Sequence, residues 1–149
     1  LVATPRRWAG WLARRSGAAQ AWLGGASVLD PACGRGAFLL ALIEEGLKRG
    51  VPAAKLPLSN LYGVEVNPEA IEDFLRRARE EFGLRFPERN LFAADLLLER
   101  PRVEADRLIG NPPWSNFAAL PADYKRRLKP LFAELFSPRL MLSKFLKLK

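Results

Sequence analysis

Short apolar runs alternate with amphipathic segments along most of this chain, and this alternation limits its fold more than any other feature. The runs SVL, NLYGVEV, NLFAA and ADRLI predict strands at residues 27–29, 60–66, 90–94 and 105–109. Apolar residues at helical spacing predict helices over residues 4–15, 36–49, 68–82 and 121–136, the first with Thr4 as its N-cap. This alternation indicates a doubly wound α/β domain with a mostly parallel sheet.

Composition excludes several kinds of catalytic and metal site. The chain has no His and one Cys, which excludes Ser–His–Asp and Cys–His catalysis, disulfide frameworks and His- or Cys-cluster metal sites, so no metal is expected. It contains no run of about 18 uncharged apolar residues and no segment ordered like a secretory signal. We therefore expect no membrane partner and a cytoplasmic location.

The net charge of +8 is spread unevenly over the 149 residues. Residues 1–25 contain four Arg and no acid, and residues 122–149 contain eight basic and two acidic side chains. The middle of the chain is slightly negative. Basic flanks suit a polyanion such as a nucleic acid, and a solvated basic surface is the alternative. The run at residues 125–129 leaves the same two alternatives open.

A polar side chain lies at or just beyond the end of each of the four predicted strands: Asp30, Glu65, Asp95 and Asn111. In open parallel sheets, ligands bind outside the carboxyl ends of the strands. We therefore expect these side chains to line one site. The alternative is that the acids only cap helices.

The loop DPACGRG connects the first strand to the first helix of the sheet. A dinucleotide site has a third glycine where this chain has Leu39, and the acid that begins the loop would repel a pyrophosphate. Asp30 instead suits an ammonium or sulfonium group, Glu65 can accept from two ribose hydroxyls, and Asp95 can accept from a purine amine. These preferences describe S-adenosylmethionine. The alternative is that Gly34 and Gly36 only form a turn. Cys33 is expected to be a packed side chain and not a nucleophile.

The segment Asn111-Pro112-Pro113-Trp114 predicts a site for an extruded base. The Asn111 oxygen and the Pro112 carbonyl can accept hydrogen bonds from an exocyclic amine, and the prolines hold this stretch stiff. Trp114 offers a flat face for stacking, and a base from a duplex must first be flipped out to reach it. A turn with a packed Trp is the alternative.

Together, ATPRRWAGWLA, DPACGRGAFL, YGVEVNPEA, FAADL and IGNPPW resemble the S-adenosylmethionine-dependent, adenine-specific (N6) DNA methyltransferases of restriction–modification systems, over roughly residues 2–117. The resemblance implies the class I methyltransferase (Rossmann-like) fold, DNA as partner and S-adenosylmethionine as cofactor. It implies that Thr4 and the loop residues contact the methionine part, that Glu65 holds the ribose, and that Val66 and Asp95 contact the adenine. The implied cofactor-binding residues are Thr4, Asp30, Pro31, Ala32, Cys33, Gly34, Glu65, Val66 and Asp95, and the catalytic ones are Asn111, Pro112 and Trp114.

The family's catalytic domain has seven strands, and only four are predicted here. We therefore expect residues 1–149 to be the N-terminal portion of such a domain, truncated after the fourth strand and without a target-recognition domain. A further chain or segment would supply the rest. One alternative is an enzyme that methylates an RNA base amine or a protein glutamine. The other is an inactive partial domain that binds only cofactor or a partner.

Three of the four tryptophans, Trp8, Trp11 and Trp22, lie near the start of the chain. The first two are spaced i, i+3 on one predicted helix. We expect all three to pack in the core, and a lid over the cofactor is the alternative.

Overall fold

Four parallel strands form one sheet in the computed structural model, which describes residues 3–99, 101–113 and 117–135. The chain divides into two compact units, Leu1–Pro113 and Trp114–Lys149. In the first unit the sheet has the order β3-β2-β1-β4. The strands are β1 (Val28–Asp30), β2 (Leu61–Glu65), β3 (Leu91–Ala93) and β4 (Arg107–Leu108).

Helices precede, connect and follow these strands. In the first unit they are α1 (Arg6–Arg15), α2 (Ala18–Leu23), α3 (Ala37–Lys48) and α4 (Pro68–Phe82), with short 3-10 turns at Ala53–Lys55, Leu58–Asn60 and Glu88–Asn90. The second unit has a 3-10 turn (Phe117–Ala119) and α5 (Ala122–Leu135), which contains Pro130. Among the described helices, none has the length and apolar character needed to cross a membrane.

The strand register brings the polar ends of β1 and β2 to the same edge of the sheet. Asp30 is paired with Gly63, and Glu65 is paired with Ala93. The other ends of the strands are buried with α3, because Val28 and Leu61 belong to the same core cluster as Leu39. The order of the strands reverses after β3, because β4 lies on the other side of β1. Ligands of open α/β sheets bind outside the carboxyl ends of the strands at such a reversal, which is where the sequence predicts the site.

The predicted strands and sheet helices are confirmed with small shifts at their ends, whereas the predicted N-cap is wrong. Pro5 occupies the N-cap position of α1 and makes no side-chain cap bond. The Pro5 carbonyl accepts from the N–H groups of Trp8 and Ala9. The Thr4 hydroxyl lies one residue before the N-cap and accepts from the Asn111 side chain. The short helix α2 is an element that the sequence patterns did not predict.

The expected burial of the tryptophans is correct only for Trp22, whose side chain is fully buried. Trp8 and Trp11 are 53% and 50% exposed. The side of α1 that faces the core carries Ala9 and Ala13 instead, both fully buried. These small side chains allow α1 to pack closely on α3, and the large rings are left on the outside.

Gly36 allows α3 to begin directly against a buried ring. Its φ is +76°, a conformation that L side chains rarely adopt, and a Cβ added there would overlap the Phe74 ring. Phe74 is fully buried, and its ring packs edge-to-face on Phe86 with the two ring centroids 4.9 Å apart. The Phe74 ring therefore has little room to move. The close approach of the glycine loop to α4 therefore requires Gly at this position.

Gly36→Ala is expected to lower the free energy of unfolding by about 2–5 kcal/mol, since left-handed strain adds to the overlap with Phe74. Gly50 is the matched control, because its φ is +80° and nothing lies within 4 Å of an added Cβ. Gly50→Ala is expected to lower stability by about 1–2 kcal/mol through strain alone. Urea unfolding measures both, and equal losses would contradict the role of Phe74.

Candidate active site

The glycine loop is held on β2 by backbone hydrogen bonds at the carboxyl edge of the sheet. The Cys33 N–H donates to the Val64 carbonyl at 2.8 Å, and the Gly34 N–H donates to Glu65 Oε2 at 2.9 Å. Gly34 and Gly36 both have positive φ, as expected for a tight turn between a strand and a helix. The loop is therefore fixed against the end of the second strand.

Glu65 is the side chain that holds this edge together. Its Oε2 accepts from the loop, and its Oε1 accepts from the Asn67 N–H at 2.9 Å. Asn67 in turn caps α4, since its Oδ1 accepts from the Glu69 N–H. Glu65 is half-buried, and each of its oxygens has further acceptor capacity. The carboxylate is thus fixed in direction and can still accept hydrogen bonds from a ligand.

Asp30 is a buried acid beside this carboxylate. Its side chain is 1% exposed, and its Oδ1 accepts from the Ala32 N–H at 3.2 Å. Burial, and secondarily the negative charge of Glu65, raises the pKa of Asp30 to about 7. Two carboxyl groups at the same end of the sheet favour a positively charged ligand. The charge of such a ligand would lower the pKa of Asp30 and stabilise its ionised form.

The end of β4 passes close to Asp30. A Cβ added at Gly110 would lie 2.6 Å from Asp30 Oδ1, so only glycine lets the backbone approach the acid here. Asn111 follows directly, and its Nδ2 donates to Thr4 Oγ1 at 3.3 Å. The fold thus brings Thr4, Asp30 and Asn111 to one region, although Thr4 and Asn111 are 107 residues apart.

The segment after Asn111 is exposed as far as the structure describes it. Asn111, Pro112 and Pro113 are all exposed residues. Trp114 lies outside the described residues. Its role in stacking stays a prediction.

Asp95 organises its own turn. Its Oδ1 accepts from the N–H groups of Leu97 and Leu98, and its own N–H donates to Glu99 Oε1 at 2.8 Å. The segment after Asp95 is a turn and not a helix, so Asp95 does not take the helix-capping role that the sequence left as an alternative. Asp95 follows β3, which lies beside β2, so it remains next to Glu65 in the order of strand ends.

The other implied cofactor-binding residues differ in exposure. Pro31, Ala32 and Gly34 are half-buried, and Val66 is 64% exposed, so its side chain is accessible to a flat ring. Cys33 is buried, which confirms that it is a packed side chain. Burial raises the pKa of the Cys33 thiol well above its ordinary value, and this opposes a nucleophilic role.

Three contributors to the site were missed from the sequence. Gly110 has no side chain to collide with Asp30, and the N–H of Asn67 donates to Glu65. Arg6 forms ion pairs with Glu44 at 2.9 Å and with Glu81 at 2.6 Å, which join the start of α1 to α3 and α4. Gly110 could have been noticed because it directly precedes Asn111. The ion pairs of Arg6 leave no pattern in the sequence.

A surface groove of about 640 Å³ lies away from these residues. It is lined by Tyr62, Phe92 and residues 101–104. None of its lining residues is a predicted site residue. The candidate site lies instead at the carboxyl ends of the strands, where backbone groups and carboxylates form it. Its chemical groups mark it as a site, whereas the groove does not contain them.

The fold is similar to that of a solved structure, while no protein-family model and no curated protein sequence matches the chain. The solved structure is described as a modification subunit of a type I restriction enzyme from Vibrio vulnificus YJ016. The TM-score is 0.60 and the identity 24%, over 95% of this chain and 30% of that one. This confirms the predicted doubly wound, parallel α/β fold. The chain spans under a third of that subunit's length.

Substituting Asn for Asp30 tests the charge buried at this edge. The pKa rises from 3.8 to about 7 on folding, so stability falls as the pH increases between these values, where only the folded chain keeps the proton. Asp30→Asn removes that loss. We expect it to be more stable than the parent by about 2–4 kcal/mol at pH 8 and equally stable near pH 4, by urea unfolding.

Asp106→Asn is the control of opposite sign. Hydrogen bonds from the backbone N–H and then the hydroxyl of Ser27 lower the pKa of Asp106, so its charge stabilises the fold above the unfolded pKa and this contribution is lost only in acid. The control should be less stable than the parent at pH 8. A less stable Asp30→Asn at pH 8 would contradict the buried charge.

Proposed function

We propose that this chain is the cofactor- and base-binding part of a methyltransferase that uses S-adenosylmethionine to methylate N6 of an extruded adenine in DNA. The observation that carries the proposal is the grouping of Asp30, Glu65 and Asn111 beside the glycine loop. The fold shared with a modification subunit of a restriction enzyme supports a place in restriction–modification. Further subunits or segments would then supply target recognition.

The hydrogen-bond acceptors of the site fit a cationic cofactor bearing a ribose. Asp30 is buried with a raised pKa, and a sulfonium or ammonium group beside it would stabilise its ionised form. Glu65 is fixed by two backbone N–H groups, and its remaining acceptor capacity suits the two hydroxyls of a ribose. Bound S-adenosylmethionine would supply an electrophilic methyl group.

The adenine part of the cofactor would lie further along the same edge. Val66 is exposed directly after β2 and offers an apolar surface for a ring. Asp95 follows the neighbouring strand β3 and is proposed to accept from the ring's amine. Thr4 and residues 31–34 would surround the methionine part.

Asn111 and Pro112 would hold the amine that receives the methyl group. Asn111 Nδ2 donates to Thr4, which helps to orient the amide. The amide oxygen of Asn111 would be the first acceptor for the amine. The Pro112 carbonyl would be the second acceptor, and Trp114 would stack on the base, which contributes about 1–3 kcal/mol. Since no charged base is required, orientation supplies most of the rate, equivalent to roughly 7–11 kcal/mol of barrier.

Incubation of the chain with methyl-labelled S-adenosylmethionine and unmethylated DNA, RNA or a protein extract tests the proposal. We expect label at adenine N6 in DNA. Asn111→Ala should reduce transfer by at least about a hundredfold, as for loss of a donor or acceptor in the transition state, with cofactor affinity nearly unchanged.

The other outcomes of this experiment each exclude a part of the proposal. Label in RNA or protein alone would reject DNA as the substrate. Cofactor binding without transfer to any acceptor would favour a binding-only domain. If Asn111→Ala loses transfer and cofactor affinity equally, Asn111 belongs to the cofactor site and does not hold the base.

Glu65→Ala is expected to weaken cofactor binding by about tenfold or more, because hydrogen bonds to a charged group are lost. Calorimetry measures the dissociation constant. Glu72→Ala is the matched control, since it removes an exposed carboxylate from α4. Glu65→Gln keeps one acceptor oxygen and should lie between the parent and Glu65→Ala. An unchanged dissociation constant for Glu65→Ala would remove Glu65 from the site.

A further inference from the structure

Two tryptophan rings stand exposed on the outside of α1. Trp8 and Trp11 each have about half of their surface accessible, and their ring centroids are 6.2 Å apart with the planes nearly perpendicular. Neither belongs to the core cluster. A pair of large exposed rings on one helix face indicates a binding surface more than a packing defect.

Two arginines flank these rings on the same side of the helix. Arg7 lies over the Trp8 ring, 5.5 Å from its centroid, and Arg15 follows Trp11 by four residues, which places it on the same face. Within the described part of the chain, neither Arg7 nor Arg15 forms an ion pair. Residues 1–25 contain no acid, so nothing nearby in sequence neutralises this face.

The other two arginines of α1 serve a different purpose. Arg6 pairs with Glu44 and Glu81, and Arg14 pairs at 2.6 Å with Glu45, whose side chain is buried. These pairs hold α1 against α3 and α4. The positive charge left over on α1 is therefore the charge beside the two rings.

We infer that Arg7, Trp8, Trp11 and Arg15, here called the α1 outer face, bind a nucleic-acid strand. The rings stack on bases, and the guanidinium groups contact phosphates. Aromatic rings interleaved with cations are what a strand with accessible bases requires. Charge complementarity favours a polyanion over an apolar protein surface, and each of the four side chains has a partner in such a strand.

The α1 outer face begins close to the candidate active site. Trp8 is four residues from Thr4, which contacts Asn111, and one helical turn is about 5.4 Å long. A strand held on this face therefore lies near the base-binding residues. This step rests on the proposed function, whereas the binding of the strand itself does not require methyl transfer.

Fluorescence anisotropy with a labelled thymidine oligomer of about 20 nucleotides tests the inference on the full chain. The oligomer contains no adenine, so it does not depend on the proposed base site. The two test variants are Trp8→Ala/Trp11→Ala and Arg7→Ala/Arg15→Ala. The matched control is Arg85→Ala/Arg89→Ala, which removes the same charge from two exposed positions between α4 and β3.

We expect the tryptophan variant to bind the oligomer at least about tenfold more weakly, from the loss of two stacking rings. The arginine variant should reduce the slope of log affinity against log salt by about 1.4, since each phosphate contact on a single strand contributes about 0.7. The control should keep the parent's affinity and slope. Circular dichroism and urea unfolding should show all variants folded, because the substituted side chains are exposed.

Three results would overturn the inference. The first is equal loss of affinity in the arginine variant and the control, which would show unspecific charge. The second is unchanged affinity in the tryptophan variant. The third is self-association of the parent, seen by sedimentation, that is lost in the tryptophan variant while oligomer binding is retained, which would make this face a contact between proteins.

The thymidine oligomer separates the inference from the proposed function, because it contains no adenine to occupy the proposed base site. Oligomer binding that depends on the α1 outer face, in a chain that neither binds S-adenosylmethionine nor transfers its methyl group, would support the inference and reject the proposed function. Methyl transfer by a chain whose oligomer binding does not depend on the α1 outer face would support the proposed function and reject the inference.

Discussion

The carboxylate of Glu65 is the contact on which the edge of the sheet depends. It accepts one backbone N–H from the glycine loop and one from the residue that caps α4, so it joins the loop, β2 and the next helix through a single side chain. Asp30 is kept buried beside it although its charge is unfavourable there. Folding alone does not need a buried acid next to a second one, and such unfavourable groupings are typical of sites that await a ligand.

Helix α1 links this edge to the rest of the first unit. Ala9 and Ala13 are fully buried, and their small size brings the helix close to α3. Exposed ion pairs such as that of Arg6 contribute little to stability, typically about 0–1 kcal/mol, so the position of α1 depends mainly on this packing. That position matters because Thr4, just before the helix, contacts Asn111.

The strand ends could be predicted from the sequence because a polar residue directly after an apolar run marks the edge of a parallel sheet. Asp30 and Glu65 are therefore found where the pattern placed them, at the last positions of β1 and β2. The exposure of Trp8 and Trp11 could not be predicted in this way. Helical spacing shows that residues share a face, not which face is buried, and Ala9 and Ala13 define an equally good core face. The contact of Thr4 with Asn111 depends on tertiary packing, which local patterns do not encode.

Under the proposed function, charge and neutral polarity have separate tasks in the site. Carboxylates suit the positively charged cofactor, and a neutral amide and carbonyl suit the amine of the base. A carboxylate beside that amine would be a further negative charge that attracts the cofactor's sulfonium group away from Asp30, whereas Asn111 accepts a hydrogen bond without adding charge. Thr4 supports this division, because it accepts from Asn111 Nδ2 and so helps to orient the amide. A chain without histidine can therefore support such a transfer through orientation alone.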